Sequence, residues 1–264
     1  MGMNKQVSSL AGGDVYEVAH ATRKHVLGTR CVYKDGREYR YVSIGETMTV
    51  ARVLQYVPDQ FAIAATYFGV DVSTAPITGE GGAIGDRTIR VCVVTGTATM
   101  TANEYAGARL FITDGTGAGQ CYVVQSNEAN GASTAVGYKI VLEDKLAVAL
   151  DNTSVGYMQK SKWQDLVKFD HANFGGDPAT IAVGAAMVAG TTTNKYLWMQ
   201  TKGDGIGLAG TATVKTGSVI IPAEDVDGAV QIPVATENIV QGIGHGMSEI
   251  ADTKFGHVYW NFER

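Results

Sequence analysis

The sequence is poor in charge, in proline and in long apolar runs, and each shortage excludes a class of protein. Charged residues make up 18% of its 264 positions, against about 25% in typical soluble domains. Five prolines are too few for a proline-rich linker or a collagen repeat. No window approaches the ~18 consecutive apolar residues of a membrane-spanning helix, and residues 1–13 lack the apolar core of a signal peptide. We therefore expect no membrane partner.

Basic residues are also scarce relative to acidic ones. Lysine and arginine total 21, aspartate and glutamate 26, and the net charge is −5. Proteins that bind the phosphates of nucleic acids normally carry a basic excess, so we expect no nucleic-acid partner. The three cysteines (Cys31, Cys92 and Cys121) include no CxxC pair. Their number and spacing argue against a disulfide framework and favour folding in a reducing cytoplasm, with each cysteine buried in a strand.

Glycine, by contrast, is abundant: its 33 residues exceed the usual share of about 7%. Glycine adopts positive φ without steric cost and therefore favours tight turns. Turn signals recur every 8 to 12 residues, and no long stretch has the 3.6-residue period of a helix. These patterns predict an all-β fold of antiparallel strands in two small sandwich-like or barrel-like modules.

Local patterns place the elements of this fold. The segment 31–42 reads as a hairpin around Asp35-Gly36, and 257–262 as a strand with Val258, Trp260 and Phe262 on one face. The segment 46–56 is the best helical candidate in the first half. A Gly/Asp break at 174–178 suggests an N-terminal arm and hairpin over 1–60, a first module over 61–173 and a second over 174–264. Further strands are predicted at 88–95, 108–113, 120–125, 138–142, 181–183, 196–201, 211–214 and 218–221.

Two glycine-rich segments resemble phosphate-binding loops. Gly205–Gly210 matches GxGxxG, but the mechanism needs a helix after the glycines, and the next residues are β-branched. We interpret it as a loop between strands. Asp114–Gly119 lacks the following Gly-Lys-Ser/Thr of a P-loop, and we interpret it as a hairpin tip.

No catalytic constellation emerges from the remaining residues. The five histidines are scattered, and neither HExxH nor GxSxG occurs. We therefore assign no catalytic, cofactor-binding or metal-binding residue and expect a protein that is not an enzyme. Trp163, in a polar Lys-Ser-Lys-Trp-Gln setting, is the aromatic most suited to an interface. Tyr196, Trp198, Trp260 and Phe262 are expected in the core.

Three segments, in their order along the chain, resemble structural proteins of tailed bacteriophages. The run 99–127 holds the "DGTGxGQ" tip between two strands, the second of which ends in asparagine. Residues 27–30 and 35–41 are similar to the "LGT…DGRxYRY" opening, and 196–203 to the "YxWxQxxG" strand. The sequence departs from this pattern at Arg52, where a glycine is expected.

The resemblance implies a virion protein and, within that class, a head decoration (cement) protein on the capsid surface. Its expected partners are the major capsid protein and other copies of itself, as a homotrimer made in the host cytoplasm. An extended arm over 1–30, which holds Arg23 and Lys24, is expected to reach the shell. The alternatives are a tail, baseplate or fibre protein and, in another class, a glycan-acting enzyme with two carboxylates distant in sequence.

Overall fold

The computed structural model describes residues 14–57, 60–68, 82–93, 100–129, 138–151, 153–170, 181–233 and 242–262. These ranges contain sixteen β-strands, a 3-10 helix at Asp14–Tyr16 and no α-helix. The pairings between these strands are antiparallel, in two separate sheets, which confirms the prediction of an all-β fold. Within the same ranges, no helix is long and apolar enough to cross a membrane.

The chain divides into two compact units. Unit 1 comprises Met1–Val57 and Lys162–Arg264, and unit 2 comprises Pro58–Ser161. This division differs from the expected segments 1–60, 61–173 and 174–264, because the first and last of these contribute to the same unit. The expected break at 174–178 lies outside the described residues. Unit 2 is thus an insertion between the two parts of unit 1.

Unit 1 is built on a ten-stranded sheet. Its strands are β1 (Arg30–Val32), β2 (Glu38–Ser43), β3 (Val53–Tyr56), β10 (Val167–Lys168), β11 (Ile181–Ala186), β12 (Tyr196–Leu208), β13 (Val219–Pro222), β14 (Val230–Gln231), β15 (Gly244–Gly246) and β16 (Phe255–Asn261). Their order is β10-β3-β11-β12-β16-β15-β13-β14, with β2 on β12 and β1 on β2. The pairings of β2 with β12 and of β3 with β11 join the N-terminal and C-terminal parts of the chain.

Local sequence explains the first hairpin of unit 1. β1 and β2 pair around a turn in which Gly36 takes φ 87°. The Asp35 carboxylate accepts hydrogen bonds from the backbone N–H and the guanidinium of Arg37, at 3.1 and 2.7 Å, and these hydrogen bonds lower the pKa of Asp35. The hairpin predicted over 31–42 is confirmed.

Two predicted elements of unit 1 do not form. The helical candidate 46–56 is a turn followed by β3, because its threonines and valines favour extended backbone and β3 is paired on both sides by β10 and β11. Arg52, where the resemblance leads us to expect a glycine, does not take positive φ; the preceding residue, Ala51, does, at 62°. The predicted strand 211–214 is reduced to an isolated bridge between Val214 and Ile250.

The core of unit 1 follows the predicted alternation of its last strand. Val258, Trp260 and Phe262 are buried, whereas the alternating neighbours His257 and Tyr259 reach the surface. The Trp260 and Phe262 rings stack with centroids 5.2 Å apart. Trp260 is fully buried in a cluster that includes residues of β3, β11, β13 and β14, so it joins the packing of these strands.

Unit 2 is a closed six-stranded barrel. Its strands are β4 (Gln60–Phe68), β5 (Thr88–Val93), β6 (Arg109–Asp114), β7 (Cys121–Asn127), β8 (Tyr138–Leu142) and β9 (Val155–Gln159). They follow the order β4-β5-β8-β7-β6-β9, and β4 closes the barrel on β9. Closure leaves no edge strand open to unwanted pairing. The interior is filled by buried apolar side chains that include Leu110, Ile112, Val124, Ile140, Leu142 and Met158.

The cysteines only partly follow their prediction. Cys31 is buried in β1, as expected, but Cys121 is exposed at the start of β7. The alternation of β7 explains the difference, since Tyr122 and Val124 point inward and Cys121 therefore points outward. The side chain of Cys92 lies outside the described residues.

Candidate functional site

The Asp114–Gly119 segment forms the predicted hairpin tip. Gly115, Gly117 and Gly119 take φ values of 69°, 83° and 86°. The tip is held by the loop before β9: the Ser154 hydroxyl donates to the Thr116 carbonyl at 2.6 Å. A Cβ atom on Gly115 would lie 1.9 Å from the carbonyl oxygen of Thr153. The tip therefore depends on glycine for both its backbone conformation and its close packing.

The asparagine that ends the same motif stabilises a neighbouring turn. The Asn127 side-chain oxygen accepts a hydrogen bond from the Tyr105 N–H at 2.8 Å, and its amide donates to the Thr101 carbonyl at 2.7 Å. Asn127 is buried, so it satisfies backbone groups that would otherwise lose their hydrogen bonds to water. This motif residue has a structural role.

The GxGxxG segment is part of a strand, so its interpretation as a loop is wrong. Gly205–Leu208 are the last residues of β12 and pair with β16. A Cβ atom on Gly205 would lie 2.5 Å from Gln200 Oε1 and 2.6 Å from Trp260 Nε1. Glycine at this position therefore allows a fully buried tryptophan to pack against the strand backbone. The described residues after Gly210, 211–233 and 242–262, contain no helix that could hold a pyrophosphate.

Residues 14–30 pack within unit 1 and do not form the expected extended arm. Val15 is fully buried, and His20 forms an antiparallel bridge with Tyr196 through backbone hydrogen bonds of 2.9 and 3.0 Å. Gly28 takes φ 83° and packs against the Trp163 ring. The beginning of the expected arm, residues 1–13, lies outside the described residues.

This packing creates a half-open groove of about 230 Å³, here called the aromatic groove. The His25 ring lies 5.0 Å from Tyr41 and 5.4 Å from Trp198, measured between ring centroids, and Tyr41 lies 5.2 Å from Trp198. The Tyr41 hydroxyl accepts a hydrogen bond from the backbone N–H of Lys24 at 3.1 Å. Burial raises the pKa of Tyr41, so the phenol remains neutral at physiological pH.

The rim of the aromatic groove includes Glu17 and Lys24, and Arg23 directly precedes Lys24 in the chain. The Glu17 carboxylate lies 3.3 Å from His20 Nε2 and 3.6 Å from Lys24 Nζ. Arg23 and Lys24 are both exposed. Glu17, Arg23 and Lys24 together carry a formal charge of +1, on a protein of net charge −5.

Trp163 does not occupy the exposed position expected of an interface residue. It is 8% exposed and belongs to a buried cluster of unit 1. The Lys162 ammonium lies 4.5 Å from the centre of its ring and the Arg40 guanidinium 5.3 Å. These cation–π contacts and the packing of Gly28 cover its faces.

The four histidines that lie in the described ranges are not grouped into a metal centre. His20 and His25 belong to the aromatic groove, whereas His257 contacts Asp204 at 2.9 Å. His171 lies outside the described residues. Across the described ranges, no group of three or more His, Cys, Asp or Glu side chains has an arrangement that could hold a metal ion.

The aromatic groove is the feature that sequence analysis missed. Its rings come from three distant segments, and no short motif joins His25, Tyr41 and Trp198. The only signal in the sequence was that aromatic residues recur at every second position in β2 and in β12, and these two strands pair in the sheet.

Comparison with protein families, with curated proteins and with solved structures finds no match to this chain. Its function is therefore inferred from the geometry of these residues and from the resemblance of the motifs.

Proposed function

We propose that this chain is a structural protein of a tailed-bacteriophage virion that binds the outside of the capsid as a head decoration (cement) protein. Its partners in this proposal are the major capsid protein and further copies of itself, assembled as a homotrimer. The protein would be made in the host cytoplasm and act by linking neighbouring capsid subunits.

The single observation that carries this proposal is that the residues of each motif form a turn or a strand. The "DGTGxGQ" segment is a braced hairpin tip, the "DGRxYRY" segment is the hairpin of β1 and β2, and the "YxWxQxxG" segment is the long strand β12. Each motif thus specifies a turn or a strand. Such pre-formed elements lose little conformational entropy on binding, which suits a protein that stabilises a shell.

Two basic side chains beside the aromatic groove supply the contact in this proposal. Arg23 and Lys24 stand out on a chain with five more acidic than basic side chains. Complementary charge accelerates association with an acidic surface and orients it. Each contact can be weak, since contacts made by linked copies reinforce one another through effective concentration.

A tail, baseplate or fibre protein is the second structural candidate, and an exposed aromatic cluster that binds glycans would favour it. Binding of a sugar ring requires an exposed aromatic face. Tyr41 and Trp198 are only 1% and 5% exposed, and Tyr196, which also lines the groove, is half-buried. The groove therefore presents little ring surface, and we retain the head location as the proposal.

Reversal of the rim charge tests the proposed contact. We expect the double substitution Arg23→Glu and Lys24→Glu to weaken binding to undecorated heads by about tenfold or more, because both side chains are exposed and change sign. Binding is measured by co-sedimentation with heads over a range of protein concentrations.

The matched control is the double substitution Lys145→Glu and Lys215→Glu, which makes the same charge change at exposed positions elsewhere. The control should bind heads as the unaltered protein does. Equal loss in both variants would show that net charge matters rather than this rim, and unchanged binding in the first variant would refute the proposed contact.

A further inference from the structure

One side of the sheet formed by β12, β16, β15 and β13 carries neighbouring exposed side chains. We call this side the outer face. The pairings place Asp204 opposite Tyr259, Tyr259 opposite His245, and Ile206 opposite His257. Directly opposite residues of antiparallel strands point to the same side of the sheet. The next residues, Val258 and Trp260, point to the buried side.

Four large apolar side chains on this face are exposed. Ile206 is 53% exposed, Phe255 54%, Met247 45% and Val219 44%. Phe255 lies two residues before His257 and therefore on the same side of β16. The Met247 N–H donates a hydrogen bond to the His257 carbonyl, which places Met247 beside His257, just after the end of β15. Single exposed apolar residues are ordinary, but a contiguous set on one sheet face marks an interaction surface.

The arrangement of this face is self-complementary about β16. On one side, β12 presents Asp204 and Ile206; on the other, β15 presents His245 and the chain continues to Met247. When two copies stack face to face about a two-fold axis along β16, Asp204 of each meets His245 of the other. Ile206 likewise meets Met247, and Phe255 meets its own equivalent. Two-fold contacts of this kind require such reciprocal pairs.

We propose that a second copy of this chain docks on the outer face through this two-fold contact. The occupant follows from polar complementarity: the Asp204 carboxylate, which contacts His257 of its own chain at 2.9 Å, lies on one flank, and the His245 imidazole lies on the other. The two are two strands or roughly 10 Å apart, with apolar groups beside both. The inference deepens the proposed function, and it rests on that function only because both require copies of the chain to associate. It is compatible with a trimer, because neighbouring three-fold assemblies on a closed shell are related by two-fold axes.

The face is small, so the isolated contact is weak. It spans four strands at about 4.8 Å spacing and two or three residue pairs along each, well below the roughly 800 Å² per partner of a standard interface. Its effect therefore depends on many copies held side by side, as on a capsid surface.

Cross-linking tests the contact directly. Phe255→Cys is introduced together with Cys121→Ser, which removes the exposed native thiol, and the protein is treated with a bis-maleimide whose span matches the ~10 Å between stacked sheets. We expect covalent dimers at high protein concentration, because the irreversible reaction traps a weak contact. Ile84→Cys, at a 70% exposed position of unit 2, is the matched control and should give none.

Charge exchange supplies the second arm. His245→Asp places two acids opposite each other and Asp204→Lys removes the acid, so in the Phe255→Cys background each variant alone should cross-link at least about fivefold less. An equimolar mixture should recover cross-linking, because the lysine of one chain meets the new aspartate of the other. Failure of the mixture to recover, or equal cross-linking of the Ile84→Cys control, would overturn the proposal.

The result is independent of head binding, which is measured on separate samples. Loss of cross-linking with intact head binding would reject the two-fold contact alone. Cross-linking without head binding would keep the contact and reject the decoration function.

Discussion

Replacement of Trp260 by alanine is expected to destabilise unit 1 by about 4 kcal/mol, the usual cost of truncating a fully buried aromatic side chain. Trp260 is completely buried, stacks on Phe262 and packs against Gly205. The cavity left by the indole has rigid walls on these sides and cannot collapse without moving β12. We expect unit 2, which has its own buried cluster, to keep its stability.

Hydrogen exchange measured by mass spectrometry resolves the two units, because amide protection reports local free energies of opening. Peptides from 181–233 and 242–262 should lose protection, and peptides from 100–129 should keep it. The control is Tyr259→Ala, at the surface position beside Trp260 in β16, which should cost less than about 1 kcal/mol. Equal effects of the two substitutions would contradict the inward position of Trp260.

Replacement of Gly115 by alanine should produce the reciprocal result, a loss of about 3 kcal/mol in unit 2 alone. Two causes add. Alanine is strained at φ 69°, and its Cβ atom would lie 1.9 Å from the carbonyl oxygen of Thr153, a backbone atom that moves only with the loop before β9. That loop also holds the tip through Ser154.

Gly119→Ala separates these two causes. Gly119 also has positive φ, at 86°, but a Cβ atom there would meet no atom within 4 Å. The control should therefore lose only the free energy due to backbone strain, about 1 kcal/mol. The free energy of unfolding is measured by urea or thermal denaturation, and hydrogen exchange of unit 2 peptides assigns the loss to that unit. A Gly115→Ala protein as stable as the Gly119→Ala protein would show that the tip is not braced.

Local chemistry explains which elements were predictable. The hairpin at Asp35-Gly36 and the tip at Asp114–Gly119 rest on turn residues adjacent in sequence, and β16 shows its two faces in a strict alternation. The wrong helix over 46–56 arose because its pairing partners, β10 and β11, lie far along the chain. Strand pairing between distant segments leaves no local signal, and the insertion of unit 2 into unit 1 has the same origin.

The site features were less predictable for a related reason. The aromatic groove requires His25 to lie against Tyr41 and Trp198, which depends on the packing of 14–30 over β2 and β12. Trp163 stands among polar residues in sequence, yet Gly28 and two cations cover it. Polar neighbours in sequence therefore say little about the burial of a side chain whose contacts are distant.

The location of the protein in the virion is the most direct test of the decoration function. Purified virions are labelled with gold-conjugated antibody against this chain and imaged by negative-stain electron microscopy, with virions lacking the protein as the control for antibody specificity. We predict gold particles distributed over the surface of the head and absent from the tail. Label confined to tails, or no label on intact virions that contain the protein, would contradict the proposed function.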